Sequence, residues 1–344
     1  IQFILRLITM NTPSPKQQLM QLISGYWVSQ AIYGVAKLRI AEQLASGPKT
    51  AFELAEKVNC DAGALRRTLR ALASVGVFAQ DEEMRFSLTE IGDCLREDSS
   101  TSARPSTIML TEIFYSSWGN FLHSLQSGQP AFEQQTGQPL FEYLAKNSDK
   151  AAVFDAAMVS YMSEESEAIA TTYNWPSTGK IMDVGGGSGG LIRAVIAKEP
   201  QLSGAIFDLP EVIDRNQELY GADEVLRECE FHRGDFFSSI PQGADLYMFR
   251  NIIHDWDDDR SISILKNCER ACQTGGKVLL LEYVIPEGNT SFAGKWLDLM
   301  MLVGPGGQER TEKEYRNLLE SADLEVTNII PTATEMSIIQ AQPK

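Results

Sequence analysis

The chain has 344 residues, 43% of them hydrophobic and 22% charged, and carries a formal net charge of −16 at pH 7. That length suits two domains and that composition a sizeable core, which excludes a disordered or fibrous chain. The excess of carboxylates argues against nucleic acid as a main partner, because phosphate backbones are held by clustered lysine and arginine.

No run of about 18 apolar residues occurs, so neither a transmembrane helix nor a membrane partner is expected. The five cysteines, Cys60, Cys94, Cys229, Cys268 and Cys272, are scattered and form no CxxC pair, and the histidines are His123, His232 and His254. Neither a disulfide framework nor a histidine-rich metal site is indicated; no metal is expected, and a reducing, cytoplasmic setting fits.

Ile1–Met10 is apolar only over a short stretch broken by Arg6 and lacks a small-residue cleavage site, so it does not read as a signal peptide; Met10 is a candidate natural start. From Ser14 to Ser46 the spacing of Leu19, Leu22, Ile23, Tyr26 and Trp27, then Ile32, Val35 and Ala36, predicts helix. Gly47-Pro48 breaks the chain, Thr50 caps a short helix over Ala51–Val58, and Asp61 caps a second that runs through Leu72 and closes at Gly76. Val77-Phe78 and Arg85–Leu88 read as strands around the acidic turn Asp81-Glu82-Glu83. Helices followed by a hairpin in this order predict a winged helix. Residues 99–175 are again helical and rich in aromatics; Trp118 and Met158 are the candidates there for lining a pocket, against the plainer reading as core.

After Trp175-Pro176 short apolar runs alternate with helical stretches: Lys180–Val184, Ala205–Phe207, Glu230–His232, Ala244–Phe249 and Lys277–Val284. Such alternation predicts a doubly wound α/β sheet with a mainly parallel core. Leu324–Ile330 and Met336–Ala341 lie close enough in sequence to pair antiparallel at its edge. The expected division is a helical and winged-helix part at 1–98, a helical region at 99–175 and the α/β domain at 176–344.

The first strand of that domain runs into Asp183-Val-Gly-Gly-Gly-Ser-Gly-Gly190 and then a helix. Glycines are needed where the backbone turns sharply and a ligand approaches the main chain. Gly185, Gly187 and Gly190, with Asp208 further on, fit a dinucleotide loop; Asp183, Gly185, Gly187 and Gly189 fit the D-x-G-x-G-x-G loop of nucleoside-binding methyltransferases. The loop alone leaves a dehydrogenase open. Its mid-chain position, the carboxylate of Asp183 where a cofactor ammonium would lie, and the string Phe249–Asp259 favour the methyltransferase. His254 in that string follows a strand's carboxyl end, where a general base belongs, although a loop histidine capping the next helix would look the same. Asp257–Asp259 reads as a capped helix start and not as a metal site.

With Asp183–Gly190, Phe207–Pro210, Gly234–Phe236, His254–Trp256 and Gly306–Thr311 assembled, the chain resembles the small-molecule O-methyltransferases typified by caffeic acid and acetylserotonin O-methyltransferases, most of all their bacterial tailoring members. The resemblance implies a class I methyltransferase fold, Rossmann-like with a mainly parallel seven-stranded sheet, behind an N-terminal dimerisation domain, and hence a homodimer. It implies S-adenosylmethionine as methyl donor, S-adenosylhomocysteine as product, and a small aromatic acceptor, phenolic or polyketide-like. It assigns His254 as base, bracketed by Glu282 and Glu309. Asp183, Gly185, Gly187 and Gly189 would face the methionine part, Asp208 and Leu209 the ribose side, and Asp235, Phe236, Arg250 and Trp256 the rest of the cofactor. Trp118, Met158, Met162, Asn251, Asp255, Met300 and Met301 would face the acceptor; by residue type the four methionines suit an adaptable apolar pocket for a flat ring, against the plainer reading as core.

Two other function classes remain open from sequence. Leu65–Arg70, with Arg66, Arg67 and Arg70, has the make-up of a DNA-recognition helix, which the overall charge disfavours. A relative that keeps the cofactor as a scaffold for hydroxylation or decarboxylation would carry the same motifs.

Overall fold

The computed structural model describes residues 13–272 and 275–344; the expectations placed on Ile1–Met10 lie outside the described residues. Two compact units emerge: residues up to Tyr115 with Ala152–Tyr161, and Ser116–Ala151 with Met162–Lys344. The helical region 99–175 is shared between them.

In the first unit each start signal acts as the sequence predicts. Ser14 opens the helix Pro15–Ile23 with a capping box, and the helices Gly25–Lys37 and Ile40–Leu44 follow. Strand β1 is Lys49–Thr50, and Thr50 then caps Ala51–Val58: its hydroxyl accepts from Glu53 N at 3.3 Å while its own N–H donates to Glu53 Oε2 at 2.7 Å. Asp61 caps Ala62–Ser74. Strands β2 (Phe78–Gln80) and β3 (Arg85–Leu88) pair antiparallel, and β1 adds to the other side of β3. Sequence missed β1 because two residues carry no alternation. Ile40, Leu54, Leu69, Leu72, Phe78 and Phe86 form the centre of this unit's core, leaving Arg66, Arg67 and Arg70 on the exposed side of their helix.

The second unit is built on β4 (Gly179–Val184), β5 (Leu202–Asp208), β6 (Glu230–Arg233), β7 (Leu246–Arg250), β8 (Lys277–Ile285), β9 (Arg310–Thr311), β10 (Leu324–Pro331) and β11 (Met336–Pro343). The spatial order is β10-β11-β8-β7-β4-β5-β6, with β9 paired to the end of β8. β4 to β8 pair parallel among themselves; β11 runs antiparallel to β8 and β10 antiparallel to β11 at the edge. The short β9, making an eighth strand, escaped the sequence reading for the same reason as β1.

Helices cover both faces of the sheet, which is why its central strands are apolar throughout. Leu246, Met248, Leu279 and Leu281 pack on one face with the helices Ser163–Thr172 and Gly190–Lys198. Tyr247, Phe249, Val278 and Leu280 pack on the other with Asp258–Ala271 and Glu312–Ser321. Strand order reverses between β4 and β7, so their carboxyl ends open a crevice, the position where such sheets bind ligands. Among the described residues no helix is long and apolar enough to cross a membrane.

Thr50→Ala lowers stability by about 1 kcal/mol, read as a shifted denaturation midpoint; an unmoved midpoint contradicts the cap.

Candidate active site

β4 ends at Asp183-Val184 and turns through the glycine loop into the helix Gly190–Lys198. Gly185, Gly187 and Gly189 have φ of +70°, +54° and +79°, a region where side-chain-bearing residues are strained. A Cβ at Gly185 would stand 2.4 Å from Ile252 Cδ1, and one at Gly189 2.8 Å from a Leu226 methyl, whereas one at Gly187 would meet nothing within 4 Å. The outer two glycines therefore permit packing, and the middle one leaves the main chain open to a ligand. Gly187 N donates to Asp208 Oδ2 at 2.8 Å and Leu209 N to Asp208 Oδ1 at 2.7 Å, which ties the end of β5 to the loop.

Asp183 is 2% exposed, and its Oδ2 has no hydrogen-bond partner among the described residues. Burial pushes its carboxyl up to about 7, with the guanidinium of Arg250 pulling the other way. A buried carboxylate with one oxygen unmet, beside an open glycine loop, fits an ammonium group of an incoming cofactor. Arg250, at the end of β7, donates to the Met162 carbonyl at 3.4 Å and to the Ser166 hydroxyl, so it is anchored on the helix Ser163–Thr172. Ser166 carried no signal in the sequence.

Asp235 is exposed and accepts from Phe237 N at 2.8 Å, shaping the turn that carries Phe236. Trp256 lies 4.8 Å from Phe237, 6.1 Å from Phe236 and 5.6 Å from Phe141 between ring centroids. Asn267, another residue the sequence reading missed, holds this cluster by donating to the carbonyls of Phe236 and Phe237 at 2.8 and 2.9 Å.

His254 sits on the single 3₁₀ turn Ile253–Asp255 just after β7 and is 5% exposed. Its Nδ1 lies 2.6 Å from Glu309 Oε1. A carboxylate only accepts, so Nδ1–H is the donor and Nε2 is the nitrogen left to take a proton. Glu282, fully buried in β8, accepts from Ile253 N at 3.0 Å and places its other oxygen 3.7 Å from Nδ1. Asp255 Oδ1 stands 3.6 Å from Nε2. Burial disfavours the imidazolium, but the charges of Glu309, Glu282 and Asp255 outweigh it and push His254 up to about 10. Burial raises Glu282 to about 8 and Asp255 to about 6.

Ligand atoms of His254, Glu282 and Glu309 lie within 4.8 Å of one another, close enough for a metal ion. Two ligands of one tetrahedral ion stand about 3.3 Å apart. The 2.6 Å between Nδ1 and Oε1 is instead the length of a charge-assisted hydrogen bond.

The second unit thus brings together His254, Glu282, Glu309 and Asp255, and places Asp183, the glycine loop, Asp208 and Arg250 on the neighbouring strand ends. Asn251, 7% exposed at φ +52°, joins β7 to the histidine turn. Met300 and the buried Met301 lie on the helix Gly294–Val303, whose Asp298 accepts from Glu309 N at 2.9 Å. Trp118 stacks on Phe121 at 5.5 Å, and Met162 precedes the helix that anchors Arg250. Met158 belongs to the first unit, so the second unit alone does not bring it to the histidine.

Residues 118–325 match the family described as O-methyltransferase domain, and residues 20–98 the O-methyltransferase dimerisation domain. A phenazine O-methyltransferase of Lysobacter antibioticus is 40% identical over 94% of this chain and 95% of its own. The crystal structure of LaPhzM superposes with a TM-score of 0.93 at 39% identity, covering 96% of this chain and all of that one. An O-methyltransferase of neocarzinostatin biosynthesis, solved with S-adenosylmethionine and 2-hydroxy-5-methyl naphthoic acid, has a TM-score of 0.81 at 32% identity, with 92% and 96% covered. The chain therefore belongs to the O-methyltransferase family and is an S-adenosylmethionine-dependent O-methyltransferase.

Proposed function

We propose that the acceptor is a hydroxyl group on a small fused-ring aromatic metabolite and that His254 takes its proton. The observation that carries this reading is the buried imidazole fixed by Glu309 at 2.6 Å, with Nε2 turned away from that bond. The phenazine and naphthoic acid in the names of the relatives support the acceptor class.

S-adenosylmethionine supplies a methyl group already electrophilic on its sulfonium, so the chain must add alignment and a better nucleophile. Alignment is worth about 7–11 kcal/mol in well-ordered cases; a positioned base adds about 10²–10⁴-fold. As the new oxygen–carbon bond forms and the carbon–sulfur bond breaks, the hydroxyl proton passes to Nε2. Glu309 and Glu282 stabilise the resulting imidazolium. The charges of Glu309, Glu282 and Asp255, which push His254 up to about 10, make the imidazole a stronger acceptor for that proton than a free histidine.

Around the base, Asp183 with Gly185, Gly187 and Gly189 holds the amino-acid end of the cofactor, and Asp208 with Leu209 its ribose. Asp235, Phe236 and Trp256 flank its adenine, while Arg250 braces the floor beside Asp183. Trp118, Met162, Asn251, Asp255, Met300 and Met301 line the acceptor side. The enzyme works without a metal, as a homodimer through its N-terminal domain, in the cytoplasm, and does not act on nucleic acid.

The test is transfer of labelled methyl from S-adenosylmethionine to hydroxyphenazines, hydroxynaphthoates and simple phenols. His254→Ala keeps cofactor binding and loses about 10²–10⁴-fold in turnover; comparable turnover in the variant removes the base assignment. Cofactor binding without transfer to any acceptor removes the proposed acceptor class.

The base must meet its substrate unprotonated, and its affinity for protons is raised, so the basic form grows tenfold per unit below about pH 10. kcat/KM should climb with a slope near one between about pH 7 and 9. Glu309→Gln removes the nearest charge that raises His254, moving this limb to lower pH; a limb that stays in place contradicts the pairing. Gly185→Ala, with φ of +70° and Ile252 in the way, should weaken cofactor binding at least about tenfold, measured by calorimetry; wild-type affinity would show the loop tolerates a side chain.

A further inference from the structure

We infer that Arg310 is the positioning residue for His254, a buried guanidinium clamp that holds the backbone on both sides of the base and the backbone leading into Glu309. The inference rests on His254 being the base. Arg310 is 1% exposed in β9. Its Nε donates to Asp258 Oδ1 at 3.0 Å, and Nη1 to the carbonyls of Ile253 at 3.2 Å and Gln308 at 3.3 Å. Nη2 donates to the Trp256 carbonyl at 2.9 Å, to Asp258 Oδ1 at 2.8 Å and to Ser261 Oγ at 3.4 Å. A guanidinium has five N–H donors in a rigid fork, enough for partners in three directions; an ammonium offers three from one atom.

The partners make the geometry specific. Ile253 and Trp256 bracket His254 and Asp255, and Gln308 precedes Glu309, so one side chain ties the base's turn to its partner's strand. From the other side the chain presses in without a side chain at all. A Cβ on Gly307 would lie 2.0 Å from the His254 carbonyl, and Gln308 N donates to that carbonyl at 2.8 Å. The parallel pairing of Val284 with Arg310 lays β9 along the end of β8, and the carboxylates of Glu309 and Glu282 lie within 4.8 Å of each other at the imidazole. The separation between Nδ1 and Glu309 thus depends on where Arg310 holds two backbone segments more than fifty residues apart in sequence. Asp258, the carboxylate that orients the clamp, is 63% exposed on its side chain, so it can be changed without opening the core.

The experiment compares Arg310→Lys, Asp258→Ala and His254→Ala with wild type for stability, cofactor binding, kcat and the pH profile. Arg310→Lys keeps cofactor affinity within about twofold while kcat falls about 10²-fold, the cost of a misplacement near 1 Å. Its pH limb moves toward neutrality as Glu309, Glu282 and Asp255 no longer face the imidazole at their present distances. Asp258→Ala gives the same split, smaller in size. A folded Arg310→Lys with wild-type kcat and limb overturns the clamp. So does a loss of kcat matched by loss of cofactor binding with the limb unmoved, which is what a purely structural role produces. If Arg310→Lys does not fold, Asp258→Ala decides by the same criteria. Undiminished turnover in His254→Ala overturns the base itself; a dead His254→Ala beside an unaffected Arg310→Lys overturns only the clamp.

Discussion

A proton held between His254 Nδ1 and Glu309 Oε1 at 2.6 Å is the constraint around which the catalytic end of the sheet is built. Burying an imidazole with two carboxylates is costly unless every charge is paired at close range. That demand explains several features at once. Glu282 ends up inside an otherwise apolar β8, where the Ile253 N–H bonds one of its oxygens and the other faces the imidazole at 3.7 Å. The two-residue β9 exists to lay Glu309 alongside, and Gly307 has no side chain because the strand lies against the His254 carbonyl. Arg310 locks the arrangement from behind.

A second buried charge works differently. Asp183 is raised to about 7 by burial and keeps one oxygen without a partner, opposed by the charge of an Arg250 whose Nη1 donates to the Met162 carbonyl and the Ser166 hydroxyl. In the histidine cluster Glu309 Oε1 and Glu282 Oε1 are bonded inside the chain, while the second oxygen of each, like Asp183 Oδ2, has no hydrogen-bond partner among the described residues. The short bond to Glu309 suits a base that must keep its orientation through turnover, and the unmet oxygen of Asp183 suits a site that draws binding energy from a charged ligand.

The fold was legible where local physics decides it. Thr50 and Asp61 cap the helices they were expected to cap, since an N-cap needs only its own next three residues. The apolar runs of β4 to β8 marked strands covered on both faces, and the close pair at the carboxyl end formed the antiparallel edge. The strands β1 and β9 were not legible, because two residues hold no period. Arg310 stood inside a quoted motif, yet nothing in its spacing says that its guanidinium turns inward to three carbonyls. Asn267, Asp298 and Ser166 were missed for the same reason: each serves a partner far away in sequence.

The sequence by itself determined the element types, the strained glycine loop after the first strand of the domain, and the residue types available for methyl transfer, because each follows from local geometry or from chemistry that few side chains possess. The resemblance named Glu282 and Glu309 beside the histidine; tertiary structure alone decided which of them bonds it and at which nitrogen, which carboxylate oxygens stay unmet, and which guanidinium holds the base. Those facts depend on strand order, on the parallel register of β8 with β9, and on burial, and a chain settles these only when distant segments pack together.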